Sequence, residues 1–168
     1  IAVYGGIAGG ADVILIPEMP FDVDEVCAHV VNRKKKGKRF SLVVAAEGAS
    51  PKEARGMITK DKELDAFGHV KLGGVGEFLA GEIEKRTGLE SRHVVLGHLQ
   101  RGGTPTAYDR ILATRFGVRA AEMVKEGRFG RMVALQGRGI VDVGLDVATS
   151  KLKTVDMEMY RTAEIFFG

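Results

Sequence analysis

The sequence predicts an α/β fold: a mainly parallel layered sheet with helices on both faces. Three observations carry that expectation. Val13-Ile14-Leu15-Ile16 and residues 41–46 (SLVVAA) are short continuous apolar runs, as parallel strands buried on both faces require. Stretches with apolar residues at three- and four-residue spacing, the mark of an amphipathic helix, stand between these runs and after them. Residues 91–103 (SRHVVLGHLQRGG) then carry another apolar run straight into a glycine corner and a new helix.

The chain's 168 residues suffice for one domain with its own core, and a single domain over 1–168 is expected. Its hydrophobic fraction of 45% is ordinary for a soluble globular protein. The net charge of +3, from 25 Lys and Arg against 22 Asp and Glu, is too small to argue for nucleic acid by itself. A single cysteine, Cys27, excludes an internal disulfide and fits a reducing cytosol. Its apolar neighbours make it a small core residue rather than a nucleophile. No apolar run approaches the roughly 20 residues needed to span a bilayer, and no signal peptide is read ahead of the fold. Ile1 stands inside an Ala/Gly-rich apolar stretch, so the expectation is a piece of a longer protein.

Taken in order, residues 1–10 (IAVYGGIAGG) read as a tightly packed helix stopped by Gly9-Gly10. Asp12 leads into the strand 13–16, which Pro17 ends. A helix begins at Asp22 or Asp24, with Val23, Val26, Cys27, Val30 and Val31 on one face. It closes on the basic run Arg33-Lys34-Lys35-Lys36-Gly37-Lys38-Arg39. Cations suit a helix C-terminus and Gly37 suits its stop; a nucleic-acid patch fits less well, since no aromatic residue interleaves with the charges. The strand 41–46 ends at Glu47, and a carboxylate there is either a solvated strand-end charge or a group facing the ligand crevice of an open sheet.

Residues 49–74 are polar and aperiodic, as functional loops and disordered segments are. His69 and Lys71 lie there without an assigned role, and Gly73-Gly74-Val75-Gly76 reads as a flexible entry to a helix rather than a P-loop. That helix covers about 75–87, with Val75, Phe78, Leu79 and Ile83 as its stripe and Gly88 as its stop. A buried strand is expected over His93-Val94-Val95-Leu96. Thr104 and Pro105 are expected to open a helix reaching residue 126, burying Ile111, Leu112, Phe116, Ala120 and Met123. Residues 131–135 form a further strand, 140–145 an edge strand, 146–151 a short helix, and 156–167 a last helix anchored by Met157, Tyr160, Ile165 and Phe166.

Within 91–103, Arg92, His98 and Arg101 can each bind an anion, and two glycines and a helix N-terminus follow them. Free N–H groups, a helix dipole and a guanidinium fork suit phosphate, slightly ahead of the alternative of an unliganded strand–glycine–helix corner.

The run Val95-Leu96-Gly97-His98-Leu99-Gln100-Arg101-Gly102-Gly103, with Pro105 and Tyr108-Asp109-Arg110 after it, closely resembles the fructose 6-phosphate-binding segment of bacterial 6-phosphofructokinases. The longer form, GHLQRGGTPTAYDRILATRFG, is similar to the actinobacterial type. The resemblance runs from Ile1 to the end and covers the C-terminal, substrate-binding half of such an enzyme. It implies phosphoryl transfer from ATP or pyrophosphate to O1 of fructose 6-phosphate, in glycolysis. It further implies that His98 and Arg101 hold the 6-phosphate from their own subunit and that Arg92 reaches the neighbour's substrate. Glu47 is implied to accept from the sugar hydroxyls. Gly10, Asp12, Lys36, Lys38 and Arg39 match an allosteric effector site, with Asp12 where better-known members carry Glu and Phe40 where some carry His.

The same resemblance implies Mg²⁺, a homotetramer and a cytoplasmic enzyme. It places the donor loop, the metal ligands and the catalytic aspartate in an N-terminal domain outside this chain, so that 1–168 alone should not turn over. Two other readings are a non-catalytic sugar-phosphate sensor on the same half-fold and a basic nucleic-acid module using residues 33–39. Fructose 6-phosphate turnover separates enzyme from sensor, and a steep loss of affinity with salt marks the nucleic-acid binder.

Overall fold

Two parallel strands, β1 (Val13–Leu15) and β2 (Val43–Ala45), pair Val13 with Val43, Ile14 with Val44 and Leu15 with Ala45. This computed structural model describes residues 1–52, 59–64, 70–72 and 74–167. Its chain divides into two compact units, one of residues 1–95 with 154–168, the other of 96–153.

In the first unit β1 is buried on both faces, and its side chains alternate between two cores. Val13 and Leu15 pack with Val23, Val26, Cys27 and Val30 of α2 (Val23–Lys35) and with Val75, Leu79 and Ile83 of α3 (Val75–Thr87). Ile14 and Ile16 point the other way, to Val3 of α1 (Ala2–Gly9) and to Tyr160 and Ala163 of the C-terminal helix Met157–Glu164. The continuous apolar run of the sequence thus has its physical reason in a strand covered by helices above and below. Burial pushes the Cys27 thiol above its ordinary pKa, as befits a core residue.

Local signals set the helix bounds. Asp22 caps α2 by accepting from the N–H groups of Asp24 (2.8 Å) and Glu25 (3.4 Å). Gly10 and Gly88 end α1 and α3 at φ +68° and +69°, a left-handed conformation that glycine adopts without steric cost. The C-terminal helix is tied back by Tyr160, whose buried hydroxyl donates to the Ile14 carbonyl at 3.1 Å, and by the Val155 N–H, which donates to Glu18 Oε1 at 2.9 Å. Of its four expected anchors, Tyr160 is buried and Met157 packs against the same core; Ile165 and Phe166 are exposed, and Ala163 and Phe167 take their places.

The aperiodic stretch carries structure that its composition does not announce. β3 (Thr59–Leu64) and β4 (Val70–Leu72) pair antiparallel. The antiparallel pattern brings the two strands together through backbone groups alone, so it needs no apolar alternation to exist. His69 and Gly73 lie outside the described residues.

The second unit comprises a 3-10 turn (Leu99–Arg101), α4 (Ala107–Lys125), the antiparallel hairpin of β5 (Arg131–Gln136) and β6 (Gly139–Gly144), and α5 (Leu145–Thr149). Gly137, at φ +60°, supplies the tight turn between β5 and β6. Two expectations are corrected here. Residues 93–96 are not a strand, and Val94, Val95 and Leu96 are 76%, 62% and 49% exposed. A strand exists only through a partner's hydrogen bonds, and no described strand runs beside this segment. In α4 only Met123 is buried; Leu112 and Phe116 are half-buried, while Ile111 and Ala120 are exposed.

Candidate functional site

Glu47 stands just beyond the C-terminal end of β2, in a turn closed by the Ala49 N–H on the Ala46 carbonyl (2.9 Å). The Ala46 N–H donates to the Leu15 carbonyl at 2.8 Å, which extends the parallel ladder to the residue before it. Its carboxylate is exposed at the strand ends, the edge from which open α/β sheets present ligand groups. Arg92 follows α3 in the same unit. Its guanidinium binds Glu90 Oε1 through Nε (3.0 Å) and Nη2 (2.6 Å), with the side chain 86% exposed. This is a surface ion pair, weak enough to be exchanged for another anion.

His98 and Arg101 belong to the second unit. His98 opens the 3-10 turn with helical dihedrals, and the Arg101 N–H donates to the His98 carbonyl at 3.1 Å. With three residues per turn, side chains at i and i+3 eclipse, so imidazole and guanidinium leave the backbone on one side. Both are exposed, and neither has a hydrogen-bond or ion-pair partner among the described residues. The turn thus carries two donor side chains without a partner among the described residues, three positions apart, which suits an anion with several oxygens. Gly102 continues it in extended backbone, and Gly103 turns the chain at φ +99°.

The helix cap is two residues later than the sequence reading placed it. Thr106, not Thr104, caps α4, in a capping box with Asp109. Thr106 followed by an acid three residues on is the spacing that marks such a box, and it was there to be read.

The basic run splits by role. Arg33 turns inward: its Nη2 lies 2.9 Å from Asp12 Oδ1, while the Leu42 N–H donates to Asp12 Oδ2 at 2.8 Å. Gly10 caps α1 two residues earlier, Lys36 caps α2, and Gly37 turns at φ +82°. Lys38 and Arg39 are exposed beside Phe40, which is 70% exposed. Sequence reasoning also missed Asp142 on β6. Its carboxylate receives Arg119 of α4, Arg128 and Arg131, three arginines that no local pattern links to it. The described residues contain no group of three or more His, Cys, Asp or Glu able to hold a metal ion, and none of their helices is long and apolar enough to cross a membrane.

Parallel strands covered by helices, with a turn of exposed donors ahead of a long helix, define an α/β class. Residues 1–124 match the family described as phosphofructokinase. The chain is 58% identical over its whole length to 49% of the pyrophosphate–fructose 6-phosphate 1-phosphotransferase of Amycolatopsis methanolica. It is 48% identical, again over its whole length, to 48% of the ATP-dependent 6-phosphofructokinase of Corynebacterium efficiens. Among solved structures, that of Pichia pastoris phosphofructokinase in the T-state superposes with a TM-score of 0.62 at 27% identity, over 98% of this chain and 16% of that one. The chain belongs to the phosphofructokinase family. It spans about half the length of the curated relatives it matches.

Proposed function

We propose that residues 1–168 are the C-terminal, fructose 6-phosphate-binding half of an enzyme that moves a phosphoryl group from ATP or pyrophosphate to O1 of fructose 6-phosphate. The observation that carries the reading is the unpaired His98–Arg101 turn within a sequence so close to relatives named for that reaction. His98 and Arg101 donate to the oxygens of the 6-phosphate. Glu47 accepts from sugar hydroxyls and so fixes the ring. Arg92 leaves Glu90 for a phosphate oxygen of the neighbouring subunit's substrate. Phosphoryl transfer asks little covalent chemistry of a protein, and positioning with charge neutralisation is this chain's share of it.

Relatives named for each donor stand at 58% and 48% identity, so both donors belong to the proposal. Mg²⁺ would neutralise the donor's phosphates when bound. The described residues offer no group of ligands that fits it. The proposal extends to a cytoplasmic homotetramer acting in glycolysis, as the resemblance implies; an Arg92 that serves another subunit's site needs at least a dimer. It also extends to an allosteric effector site at Gly10, Asp12, Lys36, Lys38 and Arg39, with the exposed Lys38 and Arg39 as the first contacts for an anion.

The test is kinetic. In an enzyme of the relatives' length that carries this sequence, Arg101→Ala should raise the KM for fructose 6-phosphate at least tenfold, about 1.4 kcal/mol, with donor KM unmoved. An unchanged sugar KM would remove Arg101 from the site. A wild-type protein that binds fructose 6-phosphate but never phosphorylates it would be a sensor.

A further inference from the structure

Asp109 has no part in the proposed function beyond its capping box, yet it holds the far end of the loop that carries His98 and Arg101. Its Oδ2 accepts from the Thr106 N–H at 2.8 Å and from the Thr106 hydroxyl at 2.7 Å. Its own N–H donates to Thr106 Oγ1 at 3.3 Å, and Arg110 Nε adds a long contact of 3.4 Å to the Pro105 carbonyl. At the near end the 3-10 turn is closed by the Gln100 N–H on the Leu96 carbonyl and the Arg101 N–H on the His98 carbonyl, both at 3.1 Å. Between these anchors lie Gly102, Gly103, Thr104 and Pro105. Apart from those of Asp109 and Arg110, no side chain of another described residue hydrogen-bonds the backbone from 98 to 106.

A glycine pair leaves the backbone unusually free, so the loop's course depends on where its ends are fixed. Space also limits it: a Cβ added at Gly102 would stand 3.3 Å from the His98 carbonyl oxygen.

We propose that Asp109 is a positioning residue for the sugar-phosphate turn. By locking Thr106 from two sides it fixes the N-cap of α4, and through the short loop it sets where His98 and Arg101 are held. The inference rests on the reading of those two residues as the phosphate ligands. Asp109 itself touches no substrate. The Thr106 hydroxyl, foremost, and the Thr106 N–H hold its carboxyl below the ordinary value of 3.8. Two donors converging on one phosphate lose affinity steeply when displaced by about 1 Å, which is why their scaffold matters.

A capping box that only stabilises α4 would alter melting temperature and the amount of active enzyme, not the affinity for one of two substrates. The experiment measures KM for fructose 6-phosphate and for the donor in Asp109→Ala, Asp109→Glu and Arg101→Ala, in an enzyme of the relatives' length carrying this sequence. All are assayed well below their melting temperatures. Expected are a five- to tenfold rise in sugar KM for Asp109→Ala, no change in donor KM, and near-complete rescue by Asp109→Glu, since glutamate closes the same box. A sugar KM within twofold of wild type in Asp109→Ala, beside a rise of at least tenfold in Arg101→Ala, would reduce Asp109 to a helix cap. Unchanged sugar KM in both variants would overturn the ligand reading and the positioning role together. Should Asp109→Ala fail to fold, Asp109→Asn keeps an acceptor without the charge and is read by the same two constants.

Discussion

Arg33 and Asp12 form an ion pair of 2.9 Å in which the two side chains are only 18% and 9% exposed. The second Asp12 oxygen accepts the Leu42 N–H, so one carboxylate joins the loop after α1, the last turn of α2 and the approach to β2. Arg33 Nε is buried without a partner among the described residues, and its guanidinium therefore depends on Asp12 for compensation.

Asp12→Ala should for that reason be among the most destabilising single changes in the first unit. Removing one partner of a buried pair leaves the other charge uncompensated, at a cost of about 3–5 kcal/mol. Asp12→Asn keeps an acceptor for Leu42 and should cost less. Urea midpoints of the 168-residue chain measure both, and an Asp12→Ala protein within 1 kcal/mol of wild type would mean that water reaches Arg33 freely. The same pair bears on regulation. In the proposed effector site Asp12 already pairs with Arg33, so its carboxylate is not open to draw a cation.

Adjacent glycines of α1 should respond with opposite signs. A Cβ at Gly6 would meet Ile14 Cδ1 at 2.5 Å and Cγ1 at 2.8 Å, in the core where Ile14 is 1% exposed. Gly6→Ala is expected to cost about 1–3 kcal/mol through overpacking. Nothing lies within 4 Å of a Cβ at Gly5, where alanine should stabilise the helix by about 0.5–1 kcal/mol. Thermal melts of the two variants settle it; equal shifts would mean that α1 does not press on β1 as drawn.

The contrast also marks what the sequence could and could not tell. Glycine inside a helix pointed to a close approach, and the approach is Gly6 on Ile14. The bounds of α3 were legible because a helical stripe and a glycine stop are local signals. The strand expected at 93–96 was not, since a strand depends on a partner that may lie anywhere in a chain, and apolar residues say only that one is wanted. The exposure of Ile111 follows the same rule: periodicity defines a face, not what covers it. Asp142 is the extreme case. Its three arginines come from α4, from the loop after it and from β5, and only the folded hairpin brings them together.

That cluster should make the second unit sensitive to acid. Arg131, foremost, and Arg119 hold the Asp142 carboxyl below its ordinary value of 3.8 by hydrogen bonding, against the opposing effect of burial. A depressed folded pKa contributes stability that is complete above the unfolded value and fades as pH falls through the folded one. The loss should therefore begin near pH 3.8 and deepen below it. Asp142→Asn removes this dependence, so its stability should fall less than that of wild type over the same interval. Circular dichroism melts between neutral pH and about pH 3 check the difference; parallel curves for the two proteins would assign the acid response to other carboxylates.

The last prediction concerns assembly. Among the described residues Arg92 pairs with Glu90 alone, on the surface of the first unit, and His98 on its turn in the second has no side-chain partner. If each active site takes Arg92 from one subunit and His98 from another, two damaged subunits can share one intact site. Arg92→Ala and His98→Ala enzymes of the relatives' length should each be nearly inactive. Co-refolded, they should recover toward about a quarter of wild-type activity, the statistical share of intact sites in a randomly mixed two-fold interface. Neither variant alone can gain activity by that treatment, so recovery reports the exchange of residues between chains. If mixed oligomers form, as native mass spectrometry would reveal, and activity does not return, Arg92 serves its own subunit and the shared site is wrong.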